Sequence, residues 1–205
     1  MDGNDLDLAE LLCARLCHDL AGPLGAVGSG AELLGDDADP EMARLVASTA
    51  AGAVSRLRLL RAALGTAGGV RPEGELHSLV RAYLDAGASA AARPELAWHS
   101  DRPEISGDVG RLLLSLVIVA KDSLPRGGRV SVEIGSPSSV GKIGLAVGFN
   151  GPSARLDPDS RAAFCKADQA YGPRAAVACW ISRLAARADT AVVVEDLVDG
   201  GWIKA

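Results

Sequence analysis

The sequence predicts an α+β protein in two segments: an N-terminal antiparallel helical hairpin over residues 1–67 and a mixed helix-and-strand unit over residues 68–205. Three observations carry this prediction. Apolar residues recur every three or four positions through residues 6–34 and again through 42–64, the Gly-rich stretch "GTAGG" follows, and beyond it helical and strand patterns alternate.

Asn4 or Asp5 caps the first helix, whose opening turn carries Asp7 and Glu10, favourable charges at the positive end of a helix dipole. Leu6, Ala9, Cys13, Leu16, Leu20, Leu24, Val27, Ala31 and Leu34 then form one apolar stripe. The stretch "GDDADPEM" stops this helix at Gly35 and starts a second, with Asp39 as N-cap and Pro40 at the first helical position. Met42, Leu45, Val46, Ala50, Ala53, Leu57, Leu60 and Leu64 repeat the stripe. Two helices cannot hide so long an apolar face between themselves. A homodimer that closes a four-helix bundle is therefore expected.

In the second segment "ELHSLVRAYLDAGA" reads as helix, "LAWHSD" as strand and "GDVGRLLLSLVIVAKDSL" as a strongly apolar helix. A strand pair "RVSVEIGS" and "GKIGLAVGF" follows, then helices "DPDSRAAFCKAD" and "PRAAVACWISRLAARA", then strands "TAVVVEDL" and "GWIKA". This order suggests an α/β sandwich, helices on one face of a mostly antiparallel sheet.

Composition narrows the function. The 205 residues are 48% hydrophobic with a net charge of -5, which leaves no basic footprint for nucleic acid. No apolar run nears the roughly 18 residues of a membrane span. The acidic start "MDGNDLDL" lacks a signal-peptide layout, so a soluble, cytoplasmic protein away from the membrane is expected. Cys13, Cys17, Cys165 and Cys179 match no common zinc spacing and are expected to be buried, reduced thiols, with no metal.

The stretch "RLCHDLAGPLGAVGSG", residues 15–30, is unusual for a helix interior, because each glycine costs roughly 1 kcal/mol relative to alanine and the proline up to about 3. His18 lies about 200° around the helix from Leu16 and from Leu20, away from the core stripe. Its neighbours on that face are Ala14, Arg15, Ala21 and Gly22, followed by Gly25. Such a bare surface suits close approach of another protein, with Ala14, Ala21, Gly22 and Gly25 as the docking residues.

The string H-D-L-A-G-P, residues 18–23, resembles the H-box of two-component histidine kinases, in which a phosphoaccepting His precedes an acid and, five positions on, a proline. The resemblance implies that His18 takes the phosphoryl group, that Asp19 holds the ring tautomer or accepts its proton, and that Arg15 pairs with the phosphoryl group. Pro23 has no N–H for the Asp19 carbonyl and is expected to bend the helix just past the site.

"LLLSLVIVAKDSLPRGGRVSV" resembles the kinase asparagine-box helix and following strand, anchored by Pro125 to Val132. In that register Ser115 and Val119 stand where kinases carry the two asparagines of the nucleotide site. No aspartate follows "KIGLAVG" before Asp157, and the glycine-rich lid shrinks to "YGPRAA". A kinase-like hairpin with its histidine, joined to a degenerate ATPase-like unit, resembles the ChpT-type bacterial histidine phosphotransferases over nearly the whole chain.

That resemblance implies a phosphorelay intermediate with no ATP bound and no cofactor of its own, magnesium being carried by the partner's receiver domain. The implied donor is the receiver of a CckA-like hybrid kinase, and the implied acceptors are CtrA-like and CpdR-like response regulators. Kinases that also act as phosphatases usually carry Thr or Asn four residues after the His. Gly22 stands there, so little autonomous phosphatase activity is expected. Two alternatives stay open: a divergent ATP-dependent kinase, and a receiver-binding dimer that takes no phosphate.

Overall fold

In a computed structural model the fold is described over residues 3–34, 39–66, 68–86, 93–135, 144–165 and 172–205. Helices α1 (Gly3–Glu32) and α2 (Pro40–Leu64) form the expected hairpin. Asp39 caps α2, its side chain accepting the Glu41 N–H at 2.9 Å, with Pro40 opening the helix. The stop placed at Gly35 lies outside the described residues. The two helices close tightly at Gly30, where an added Cβ would come within 2.6 Å of Val46 Cγ2. That contact accounts for one glycine of the run.

The second segment begins with a short strand β1 (Arg71–Pro72) and helix α3 (Glu73–Asp85). Then come β2 (Glu95–Ser100), β3 (Glu104–Ile105), α4 (Gly107–Asp122), β4 (Arg129–Ile134) and β5 (Leu145–Asn150). After α5 (Pro158–Cys165), a 3-10 turn at Pro173–Ala175 leads into α6 (Ala176–Arg187), β6 (Val193–Leu197) and β7 (Gly200–Lys204). The main sheet has the order β2-β4-β5-β7-β6, with β2 and β4 parallel and the other pairs antiparallel. Val132, Val147, Ile203 and Val194 fall in one register row, and the first three are sealed from solvent.

Helix α4 is the spine of the fold. Every residue from Gly110 to Ala120 is buried, so it is packed on all sides rather than along one stripe. Ser106 caps it, accepting from the Val109 N–H. The core around α4 takes in Leu59, Leu60 and Ala63 from α2, while Leu8 and Leu12 of α1 pack with Ala175, Ala178 and Cys179. Trp180 Nε1 also donates to the Ala63 carbonyl at 3.2 Å. Hairpin and second segment thus share buried surface across the boundary drawn at residue 67.

The structure corrects one expectation: Cys13, Cys17 and Cys165 are exposed, and only Cys179 is buried. The apolar stripes are incompletely covered within one chain, as their length predicts: Leu6, Leu24, Leu45, Val54 and Leu57 are all exposed. The reason is rotational. Leu8 and Leu12, which the stripe omitted, turn toward α6, and this swings Leu6, Cys13 and Cys17 onto an outer flank of α1.

Candidate functional site

His18 stands on α1 with 85% of its side chain exposed, and its Nδ1 lies 3.3 Å from Oδ1 of Asp19. A carboxylate can only accept, so a hydrogen bond here is made by the tautomer that carries its proton on Nδ1, and that tautomer keeps the Nε2 lone pair free. Asp19 is, by contrast, only 13% exposed and held firmly. Arg15 Nε donates to its Oδ2 at 2.8 Å, one helical turn back. Arg56 Nη1 of α2 donates to its main-chain carbonyl at 2.9 Å.

The sequence put Arg15 on the open face beside His18, but the structure turns its guanidinium inward. It is 14% exposed, and its Nη2 reaches Asp122 at the end of α4 at 2.5 Å. Burial alone would lower the Arg15 pKa; the Asp122 and Asp19 carboxylates outweigh it and hold the guanidinium above its ordinary range. Two residues from α3 and α4 complete the cluster. Lys121 places its ammonium 4.2 Å from the centre of the Tyr83 ring, and burial, followed by the nearby charge of Arg56, pulls its pKa down to about 8. Burial and then Asp122 push the Tyr83 phenol well above its ordinary range.

The four docking residues named from the sequence are all exposed: Ala14, Ala21, Gly22 and Gly25. A Cβ added at Gly22, Gly25 or Gly28 would meet nothing within 4 Å. Packing inside the chain therefore does not demand glycine at these positions, as it does at Gly30. One turn past His18 a groove of roughly 800 Å³ opens, with Gly22, Pro23 and Ala26 on one wall and Thr49, Arg56 and Ala82 on the other.

The two positions set against the kinase asparagines lie elsewhere. Ser115 and Val119 are 0% and 4% exposed inside the α4 core, and the Ser115 hydroxyl donates back to the Arg111 carbonyl at 2.8 Å. Among the described residues no group of His, Cys, Asp or Glu side chains is arranged to hold a metal ion. The other histidines sit in different surroundings: His77 packs edge-on to Trp98, and His99 is exposed on β2.

Against known proteins, the model of the histidine phosphotransferase C-terminal domain matches residues 73–197. The chain belongs to the histidine phosphotransferase family. Protein phosphotransferase ChpT of Brucella abortus (strain 2308) is 35% identical over 133 residues, a stretch that spans 63% of this chain and 61% of that relative. A solved structure of a bacterial phosphotransferase aligns with a TM-score of 0.79 at 25% identity, covering 97% of this chain and 95% of that one. The Acinetobacter baumannii histidine kinase AdeS is more distant, with a TM-score of 0.47 at 14% identity over 91% and 94% of the two chains. The family match begins at the first residue of α3, so it covers most of the α/β segment, while His18 lies outside the matched residues.

Two features of the site are not legible in the sequence. Asp122 has no local signal, because its partner Arg15 lies 107 residues away. Arg56 had a signal: the Asp19 carbonyl faces a proline four residues on and so needs a donor from elsewhere. Nothing in the sequence says which side chain supplies it.

Proposed function

We propose that the protein is a histidine phosphotransferase of a phosphorelay, carrying phosphate on His18 between the aspartates of two receiver domains. The observation that carries this reading is the contrast between an 85% exposed imidazole and the anchored carboxylate against its Nδ1. In the first step the His18 Nε2 lone pair forms a bond to phosphorus while the bond to the donor aspartate oxygen breaks, returning that residue to carboxylate. The positive charge gained by the ring rests against Asp19, which shares the Nδ1 proton. In the second step an acceptor aspartate attacks phosphorus, the P–N bond breaks and neutral imidazole returns. Magnesium is supplied by the receivers, which bring their own acidic sites.

The donor in this reading is the receiver of a CckA-like hybrid kinase, and the acceptors are CtrA-like and CpdR-like regulators. Docking uses Ala14, Ala21, Gly22 and Gly25, where no side chain keeps a partner from the helix. The protein works as a homodimer, which would cover the exposed Leu24, Val54 and Leu57. It draws no phosphate from ATP, a reading supported by the burial of Ser115 and Val119 in the α4 core. Among the described residues no helix is long and apolar enough to cross a membrane, in keeping with work in the cytoplasm.

The test is to offer labelled phosphate from two sources, Mg-ATP and a phosphorylated receiver domain. Label is expected on the protein from the receiver alone. Label from ATP would support the kinase alternative, and label from neither would leave the receiver-binding dimer.

A further inference from the structure

An α-helix carbonyl normally accepts the N–H four residues on. For Asp19 that residue is Pro23, which has none. Helix α1 nevertheless runs unbroken from Gly3 to Glu32. The carbonyl that the proline frees is met from another helix, by Arg56 Nη1 at 2.9 Å. A local bond within α1 has been exchanged for a tertiary bond to α2, at the residue next to the phosphoacceptor.

We propose that Arg56 is a positioning residue for phosphotransfer: it occupies the carbonyl left free by Pro23, fixes the main chain of Asp19, and so holds the His18 ring in its reactive orientation. The inference rests on the phosphorelay reading and extends it. Arg15 holds the Asp19 carboxylate at Oδ2, leaving Oδ1 for the imidazole. Arg56 holds the backbone from the other side. A carboxylate gripped only by Arg15 could still swing with its peptide, whereas one gripped at both ends cannot. Because misplacing reacting groups by about 1 Å can cost on the order of a hundredfold in rate, the second grip matters to the chemistry.

The test is a rescue. Arg56→Met keeps an apolar stem and removes the donor; Pro23→Ala restores an N–H within α1. Arg56→Met is expected to slow transfer about tenfold or more at saturating receiver while leaving the half-saturating receiver concentration nearly unchanged. In Pro23→Ala/Arg56→Met the restored backbone N–H serves the Asp19 carbonyl, and the rate should return to within about threefold of Pro23→Ala alone. Arg56→Lys, which keeps charge and bulk, should fall between wild type and Arg56→Met. A double mutant as slow as Arg56→Met, or an Arg56→Met protein as fast as wild type, overturns the proposal.

A second readout needs no receiver. The ring ¹⁵N shifts of His18 should report the Nδ1–H tautomer in wild type and in the double mutant, and a tautomer mixture in Arg56→Met. That pattern in a protein that takes no phosphate would refute the phosphorelay reading and keep the brace. Normal phosphate uptake with no change in the ring would refute the brace alone.

Discussion

Arg15 of α1 and Asp122 of α4 meet at 2.5 Å, and the same guanidinium holds Asp19 at 2.8 Å. The carboxylate that faces His18 is therefore tied to the end of the central helix of the second segment. Asp122→Ala should leave Arg15 partly buried with Asp19 as its remaining carboxylate. Since Asp122 is itself partly solvated, the stability loss should stay within about 1 kcal/mol. Transfer at saturating receiver should fall severalfold, because Asp19 loses part of its hold on the ring. Melting curves and single-turnover transfer on one sample separate the two effects; an unchanged transfer rate would show that α4 does not act on the site.

The Lys121 ammonium gives a pH signature. The folded chain releases this proton near pH 8 and the unfolded chain near 10.5. Between these values the unfolded state binds more protons, so this group makes stability rise with pH; below pH 8 both states are charged and the cost of burying the ammonium is present in full. Relative to Lys121→Met, the wild type should therefore gain stability from pH 8 to 10, by about 1 to 3 kcal/mol. Urea melts of both proteins across that range check it. Parallel curves would mean that the ammonium is as well solvated folded as unfolded.

Gly25 separates stability from function. It lies in open space on α1, two turns past His18. Gly25→Gln should raise stability by up to about 1 kcal/mol through helix propensity. If a receiver docks on this face, the new side chain holds it away from the imidazole and slows transfer by about tenfold or more. A stabilised variant that transfers at the wild-type rate would move the docking surface elsewhere.

Much of the architecture could be read in the sequence because it is local. The Asp39-Pro40 start of α2, the apolar run of α4 and the alternating strands each declare themselves within a dozen residues. His18 stood out for the same reason, as a histidine two positions from both Leu16 and Leu20 and next to an acid. What could not be read depends on tertiary placement. The parallel pairing of β2 with β4 follows from where α3 and α4 pack, and the Arg15–Asp122 and Arg56–Asp19 contacts join residues far apart in the chain. The exposure of Cys13 and Cys17 belongs to this class as well. A helical stripe fixes relative angles along α1, but the packing of Leu8 and Leu12 on α6 decides which of them turns inward.

In the proposed relay phosphate rests on His18. The direct measurement is label transfer from a phosphorylated receiver domain to wild type and to His18→Ala, followed by a chase with a second, unphosphorylated receiver. Wild type should gain acid-labile, base-stable label and lose it to the second receiver, while His18→Ala, with the same melting temperature and oligomeric state, should gain none. Label persisting on His18→Ala, or wild-type label that the second receiver cannot remove, would contradict the account.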